Sequence, residues 1–226
     1  MDCGKIESMN QITKTLPKSA WQDVVISENN ERLVEVVETE KLIYGSQFGL
    51  WENNNSYYLR EIVTHMLYKA SEILPSGYKL AMVEGVRSIE KQQEHWNRKF
   101  EHFSVEHPEW SLEEIEYQTV LVVARSAPLA NHNCGGAVDV ALVYNGELVD
   151  MGTKPQAFAE KEVVKMFSEL ITNEQVQNRT ILREAMESVG FVWYPGEWWH
   201  YCYGDRMWAV YTNRKECMYG PIQNIQ

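Results

Sequence analysis

The chain has 226 residues, of which 44% are hydrophobic and 23% charged, and its formal net charge is −11 at pH 7. This composition is typical of a globular protein and excludes a disordered chain, a collagen and a coiled coil. The acidic excess opposes binding to phosphate backbones, so no nucleic-acid partner is expected. The sequence contains no run of about 18 apolar residues, so no membrane-spanning helix is predicted.

Cysteine usage and the first residues bear on the compartment. The N-terminal stretch lacks the apolar core of a secretory signal. The four cysteines are scattered and form no Cys-x-x-Cys pair: Cys3, Cys134, Cys202 and Cys217. Free thiols in a reducing cytoplasm are therefore expected. With no repeat or linker in the sequence, we expect one domain over residues 1–226, in which 1–43 carry little pattern.

The first half of the chain shows alternating strand and helix patterns. Short strands are predicted over Val24–Ile26 and Leu33–Val37. From Leu59 to Leu74 apolar residues recur at steps of three and four, which predicts an amphipathic helix with Asn55 or Ser56 as its cap. A mostly apolar strand is predicted next, at 78–85.

Two serine-capped helices and then a set of strands follow. The helices are predicted at 89–105, after Ser88, and at 111–123, where Ser111 and Glu114 form a capping box. Residues 137–144 alternate as a strand, and Asn145-Gly146 predicts a hairpin back into 147–151.

The last third predicts two helices, a hairpin and a final strand. The helices are expected at 156–171 and 174–188, the hairpin at 191–203 around Pro195-Gly196, and the strand at 206–212. Helices mixed with hairpin-linked strands indicate an α+β fold, with a small central antiparallel sheet flanked by helices.

Of the six histidines, four lie in or beside predicted helices, where a solvated surface position is expected: His65, His95, His102 and His107. The helical zinc-peptidase motif His-Glu-x-x-His is absent.

His132 lies in the segment NHNCGGAVDV, ahead of a strand that carries Asp139 among small residues. The double glycine lets the chain turn back, so His132 can approach Asp139 and share a metal or substrate with it. The alternative is a glycine turn with an exposed histidine and an aspartate paired to some basic residue.

The segment EWWHY holds Glu197 and His200. In a regular strand these two side chains point to opposite faces, so they share a site only if Glu197 precedes the regular strand. The alternative is an aromatic core strand without chemistry.

Taken together, the two segments indicate a metal site more specifically than either segment does alone. Two imidazoles and one carboxylate, from His132, His200 and Asp139, suit Zn²⁺ with one position left open. Glu197 is a candidate general base, and Arg87, which follows a strand, is a candidate for stabilising an oxyanion. These are the parts needed for metal-assisted hydrolysis of an amide.

On these residues the sequence resembles the zinc D-alanyl-D-alanine dipeptidases of the VanX type, which have the hedgehog/D,D-peptidase fold. Their pattern Ser-x-His-x-x-Gly-x-Ala-(Ile/Val)-Asp is met by His132, Gly135, Ala137, Val138 and Asp139, and their Glu-Trp-Trp-His-Tyr by residues 197–201. Arg87 in VEGVRS matches their arginine, and the likeness runs from about Tyr44 to Tyr203.

The resemblance implies a role for each matching residue. His132, Asp139 and His200 would bind one zinc ion per chain. Glu197 would take a proton from the water that zinc activates and pass it to the leaving amine, while Arg87 would stabilise the tetrahedral oxyanion. Trp199, Tyr44 and Gln156 would line the substrate site.

Two residues depart from the family pattern. Ala130 stands where the family has serine, and Gln156 stands where it has an aspartate that helps to hold the ammonium group of the substrate. Zinc-dependent hydrolysis is therefore more firmly indicated than any one substrate. Cys134, between the ligand and the glycines, is either a further ligand or, as we expect, a packed loop residue.

The expected function is hydrolysis of a small D,D-dipeptide, first of all D-Ala-D-Ala, a precursor of peptidoglycan. One alternative is a D,D-carboxypeptidase or endopeptidase acting on larger muropeptides. Another is a zinc-binding module of the same fold that has lost catalysis, which the retained Glu197 and Arg87 oppose.

Overall fold

The computed structural model describes residues 18–21, 23–50, 56–123, 131–157, 160 and 162–222. The strands are β1 Val25–Ile26, β2 Leu33–Glu35, β3 Leu42–Tyr44, β4 Tyr58–Arg60, β5 Tyr78–Glu84, β6 Ala137–Tyr144, β7 Glu147–Leu148, β8 Val192–Tyr194, β9 Glu197–Cys202 and β10 Glu216–Cys217. The helices are α1 Glu61–Ile73, α2 Ile89–Glu106, α3 Leu112–Val122, α4 Asn173–Ser188 and α5 Arg206–Tyr211.

A six-stranded sheet organises the fold, with the strand order β3-β5-β6-β9-β8 and β7 paired to β6. All of its pairings are antiparallel except that of β3 with β5, which is parallel. Two small sheets pair β1 with β10 and β2 with β4. The α+β class predicted from the sequence is confirmed, and the sheet is antiparallel apart from its edge strand β3.

Strand β6 lies at the centre of the sheet and is buried at every position except its last residue, Tyr144. Burial on both faces explains why its sequence, AVDVALVY, is almost continuously apolar. The one charged residue within it, Asp139, is 2% exposed. An ionised carboxylate at such a place requires partners, because an isolated buried charge is very costly.

Several predicted elements are confirmed, and their local chemistry explains them. Asn145 and Gly146 both have positive φ, at 50° and 87°, as a two-residue turn that matches the strand twist requires. The predicted helix at 174–188 is α4, which opens with a capping box between Thr172 and Gln175. Gly190, with φ 104°, follows its end.

The start of the first helix differs from the prediction. Helix α1 begins at Glu61, because residues 58–60 pair with β2 as strand β4. Its N-cap is Arg60, which makes no side-chain capping bond. Ser56 lies before β4 and therefore does not cap the helix, and Asn55 lies outside the described residues.

The helix predicted at 156–171 is wrong, since its described residues form turns. Other parts of the chain take their backbone groups. The Met166 amide donates to the Pro195 carbonyl (3.0 Å), and the Trp198 amide donates to the Val164 carbonyl (3.0 Å). The buried Arg179 guanidinium donates to the Val163 carbonyl (3.0 Å). Because these backbone groups are bound from outside, the segment does not need a continuous series of helical bonds.

The strand predicted at 206–212 is also wrong, because Arg206–Tyr211 is helix α5. Asp205 caps this helix by accepting a hydrogen bond from the Trp208 amide (2.7 Å). An aspartate directly ahead of an apolar run is a helix-start signal, and it decides the conformation here over the aromatic content of the run. No helix among the described residues combines the length and the apolar character needed to cross a lipid bilayer.

Candidate metal centre

Sheet register brings three polar residues into one row. Asp139 on β6 lies opposite Glu84 on β5 and opposite His200 on β9. Residues directly opposite one another on antiparallel strands project from the same face, with Cβ atoms about 4.5–5.5 Å apart. The three side chains therefore meet above the centre of the sheet.

A bulge in β5 decides which residue faces Asp139. Met82 pairs with Val140, whereas Glu84 rather than Val83 pairs with Asp139. The extra residue in β5 shifts the alternation by one position, as β-bulges do. Without it an apolar valine would face the aspartate, and Glu84 would point away.

His132 reaches the row from a 3-10 turn, Asn131–Cys134. Its Nδ1–H donates to the Gly85 carbonyl at 2.8 Å, which leaves the lone pair on Nε2 facing the site. The turn is anchored by the Arg87 amide on the His132 carbonyl (3.0 Å) and by the Arg60 Nε–H on the Cys134 carbonyl (2.9 Å). The predicted approach of His132 to Asp139 through the glycine turn is present in the structure.

Three ligand atoms converge at the centre. Asp139 Oδ1 lies 3.0 Å from His200 Nδ1 and 3.3 Å from His132 Nε2, and the two imidazole nitrogens are 3.2 Å apart. All three residues are buried.

This triangle fits a metal ion. A tetrahedral zinc ion with bonds of about 2.0–2.1 Å requires its ligand atoms to be about 3.3 Å apart. Two imidazole nitrogens and a carboxylate oxygen are also donors that zinc accepts, and they leave a fourth position open. His132, Asp139 and His200 are the one such group found among the described residues.

The charges around the centre support one another. Burial alone would raise the pKa of Asp139, but the two histidines outweigh it and hold that pKa well below its usual range. In turn, burial disfavours the charged form of His132, but the Asp139 carboxylate raises its pKa. Asp139 is therefore ionised at neutral pH, as a metal ligand must be.

Arg87 lies beside the centre in a buried ion pair with Glu84. Its Nε–H donates to Glu84 Oε1 (2.8 Å), its Nη2 donates to Glu84 Oε2, and its Nη1 donates to Gln92 Oε1 (2.8 Å). The ion pair holds the pKa of Glu84 below its usual range despite burial. The arginine is thus fixed in position before any substrate binds.

Glu197 is the first residue of β9 and is half-buried. Tyr194 pairs with Glu197 but Trp193 pairs with Tyr201, so one step along β8 corresponds to four steps along β9. This irregularity breaks the alternation that would place Glu197 on the face opposite to His200. The negative charge of Glu197 contributes, after those of Glu84 and Asp139, to raising the pKa of Arg87, so it acts on the same site.

Gln156 is directly attached to the centre. Its Nε2 donates to Asp139 Oδ2 (2.8 Å) and to Glu84 Oε2 (2.9 Å). The residue expected at the substrate's amino end therefore binds two carboxylates of the protein.

The structure does not bring the other two predicted substrate residues to the centre. Tyr44 pairs with Met82, on the sheet face opposite to Asp139, and its hydroxyl donates to the Val36 carbonyl (2.7 Å). Trp199 is 0% exposed, so it offers no accessible surface to a substrate and packs in the core. Ala130 lies outside the described residues.

Cys134 is not a ligand. Its thiol donates to the Asn131 carbonyl (3.0 Å) and accepts from the Gly136 amide (3.3 Å), both of them close to it in the chain. Burial raises the pKa of this thiol, which keeps it protonated.

Sequence reasoning missed Glu84 and underrated His95. Glu84 had a usable signal, since it is a carboxylate inside an apolar strand, three residues before an arginine. His95 was expected on a solvated helix surface but is half-buried. Burial and the positive charge of Arg87 lower its pKa to about 4, so it is a neutral group beside the site. Of the other helix histidines, His65 and His102 are exposed as expected.

Comparisons with known proteins find one family and several similar chains. A family model described as D-Ala-D-Ala dipeptidase, peptidase family M15, matches residues 50–219. A D-alanyl-D-alanine dipeptidase of Synechocystis is 34% identical over 94 residues, which are 37% of this chain and 38% of that protein. One of Enterococcus faecalis is 36% identical over 89 residues, or 38% of this chain and 43% of that protein. The chain thus spans about two fifths of the length of these curated relatives.

Solved structures with a similar chain trace include VanYB in complex with D-alanine-D-alanine, at 15% identity and a TM-score of 0.48, over 85% of this chain and 90% of that one. The LD-carboxypeptidase LdcB is similar at 18% identity and a TM-score of 0.47, over 88% of this chain and 78% of that one.

Proposed function

The chain belongs to the D-Ala-D-Ala dipeptidase family of metallopeptidases, and we propose that it hydrolyses the peptide bond of a small D,D-dipeptide, first of all D-Ala-D-Ala. The observation that carries this proposal is the triangle formed by His132 Nε2, His200 Nδ1 and Asp139 Oδ1, buried beside a fixed arginine. Such a centre suits hydrolysis of an amide, because it combines a cation site with a donor for negative charge.

His132, Asp139 and His200 would hold a zinc ion. When bound, zinc supplies Lewis-acid chemistry, since it polarises a carbonyl and makes water more acidic. The Gly85 carbonyl fixes the ring of His132, and Gln156 fixes the second oxygen of Asp139. Partners of this kind orient metal ligands and raise metal affinity.

Glu197 is the proposed general base. Its carboxylate would take a proton from the attacking water as the new carbon–oxygen bond forms. It would then give that proton to the leaving amine nitrogen as the carbon–nitrogen bond breaks, so that one carboxylate serves both steps. Its half-buried position at the start of β9, within the electrostatic field of Arg87, is consistent with this role.

Arg87 is the proposed stabiliser of the developing oxyanion. Its bonds to Glu84 and Gln92 use three of its five N–H groups. The other two, one on each terminal nitrogen, have no partner among the described residues. Donors that are held in place before the reaction need no reorganisation, which is why they stabilise the transition state strongly.

We also propose a cytoplasmic location. Cys134, Cys202 and Cys217 are buried free thiols, which suits a reducing compartment. There the protein would meet the free dipeptide before it enters peptidoglycan.

A second candidate substrate class is favoured by Gln156. Its neutral amide already donates to two carboxylates of the protein, so this position offers no carboxylate to pair with a substrate ammonium group. A D,D-carboxypeptidase would not require such a pairing, because its substrates carry an amide at that end.

The test is release of D-alanine from D-Ala-D-Ala and from its N-acetylated form by zinc-loaded protein. We expect the dipeptide to be cleaved, Glu197→Gln to be inactive, and Arg87→Ala to be slower by about 10²–10³-fold. The matched control is Glu147→Gln, which changes an exposed glutamate of the β6–β7 hairpin and should leave the rate unchanged.

The outcomes separate the candidates. Cleavage of the acetylated peptide alone would replace the dipeptidase by the carboxypeptidase. Failure of the zinc-loaded parent protein on both peptides would refute D,D-peptide hydrolysis. A fully active Glu197→Gln variant would refute the general base.

A further inference from the structure

We propose that Gln156 is a positioning residue for the metal centre, which holds Asp139 as a one-oxygen ligand and links it to the Glu84–Arg87 ion pair. This inference rests on the metal site of the proposed function but not on any substrate. Gln156 reaches the metal site through Oδ2 of Asp139, which is not one of the three atoms of the ligand triangle.

The two oxygens of Asp139 have different partners. Oδ1 faces His200 Nδ1 (3.0 Å) and His132 Nε2 (3.3 Å). Oδ2 accepts a hydrogen bond from Gln156 Nε2 at 2.8 Å. Because that bond occupies Oδ2, the carboxylate is left to bind a metal through Oδ1 alone.

The same nitrogen bridges two neighbouring carboxylates by hydrogen bonds. Glu84 and Asp139 lie opposite one another on neighbouring strands, and both are buried. Gln156 Nε2 has two N–H groups, and one reaches each carboxylate, with the contact to Glu84 Oε2 at 2.9 Å. An amide is the side chain suited to this position, since a third carboxylate would repel the other two.

Polar partners also determine which way the amide faces. The opposite orientation would set its oxygen against two carboxylate oxygens. In the observed orientation Oε1 is buried and has no hydrogen-bond donor among the described residues. The two carboxylates are therefore the interaction that holds the side chain.

The backbone at Gln156 is consistent with a residue held by its side chain. Its φ is 62°, in the left-handed region that non-glycine residues adopt at a cost. Such conformations persist where the surrounding structure enforces them, and they concentrate at functional sites.

Hydrogen bonds thus run without a break from the oxyanion arginine to the metal ligand. Arg87 donates to Glu84, Glu84 and Asp139 both accept from Gln156, and Asp139 faces the histidines. A disturbance at Gln156 should therefore change metal binding even when no substrate is present.

The experiment measures metal binding to the full chain. Zn²⁺ affinity is obtained by competition with a chromogenic chelator, and the Co²⁺-substituted protein is followed by its visible absorption. Gln156→Met keeps the length of the side chain without its donors, and Gln156→Glu keeps the shape but adds a charge. The control is Gln118→Met, which removes a similar bond, 2.8 Å to Glu114, from helix α3.

We expect Gln156→Met to weaken Zn²⁺ binding by about 10–100-fold, as the loss of partners behind metal ligands typically does. Its Co²⁺ absorption should become weaker, because the freed Oδ2 raises the coordination number. Gln156→Glu should also bind less tightly, and Gln118→Met should match the parent. Far-UV circular dichroism identifies any variant that does not fold, and the conclusion then rests on the other.

Affinity and Co²⁺ spectrum equal to the parent in a folded Gln156 variant would overturn the inference. Since neither measurement uses a peptide, the two proposals fail separately. A parent protein whose zinc affinity depends on Gln156 but that cleaves no D,D-peptide would refute only the proposed function.

Discussion

Replacing Glu84 by glutamine tests whether the buried ion pair stabilises the site. Glu84 is 1% exposed and accepts two hydrogen bonds from Arg87 and one from Gln156. A glutamine has one acceptor oxygen, and Arg87 donates to both oxygens of Glu84, so the NH₂ group of the glutamine faces an Arg87 donor in either orientation. The substitution therefore removes a charge and places two donors against each other.

The expected size of the effect follows from burial and from the neighbouring charges. Breaking a buried ion pair by removing one partner typically costs about 3–5 kcal/mol. Asp139 repels Glu84 across the strands and also compensates Arg87 in part, which places the expected loss of unfolding free energy at about 3 kcal/mol. For a protein of this size that corresponds to a melting temperature lower by about 6–12 °C.

The assay is urea unfolding of the metal-free protein, followed by the fluorescence of its eight tryptophans. Glu147→Gln serves as the surface control and should change the free energy of unfolding by less than about 0.5 kcal/mol. The double variant Glu84→Met with Arg87→Met should lose less free energy of unfolding than the sum of the losses of the two single variants, Glu84→Met and Arg87→Met. The reason is that no unpaired charge remains buried in the double variant. A loss of unfolding free energy below about 1 kcal/mol for Glu84→Gln would show that the pair is not a coupled unit. Losses of the two single methionine variants that add up to the loss of the double variant would show the same.

Three further outcomes are expected. Zinc at about 100 times its dissociation constant should raise the free energy of unfolding by about 2.7 kcal/mol in the parent but not in His200→Ala, which thermal melts at increasing zinc would show. His95 should titrate near pH 4 when its ring signals are followed by NMR. Because its pKa is lower in the folded than in the unfolded chain, the free energy of unfolding should decrease as the pH falls from about 6.5 towards 4. A titration midpoint near pH 6.5 would contradict the placement of His95 beside Arg87. Arg60→Met should cost about 3 kcal/mol in urea unfolding and weaken zinc binding, because it removes the donor to the Cys134 carbonyl in the turn of His132; unchanged zinc affinity would show that the turn needs no such anchor.

Local sequence signals predicted much of the fold. The Asn145-Gly146 turn, the serine caps of α2 and α3 and the apolar run of β6 act over a few residues, so they can be recognised without the rest of the chain. Two of the incorrect predictions lie where distant partners intervene, whereas residues 206–211 are helical because of a local cap, Asp205. Residues 58–60 became strand because β2 pairs with them, and residues 162–171 form turns because Arg179 and the β8–β9 hairpin bind their backbone.

For the site, the residue types and their spacing within NHNCGGAVDV and EWWHY were enough to nominate His132, Asp139, His200 and Glu197, and VEGVRS supplied Arg87. These segments are diagnostic because zinc chemistry requires particular donors. The sequence could not show how the donors meet, since that depends on which residues face one another across strands far apart in the chain.

Tertiary structure alone decided the surroundings of the proposed metal ligands. The bulge that sets Glu84 opposite Asp139 and the irregular β8–β9 pairing at Glu197 are properties of strand register. Contact between Gln156 and two carboxylates likewise depends on a turn folding over the sheet. The sequence determined which chemical groups are available, and long-range packing, which no local pattern encodes, determined which of them touch.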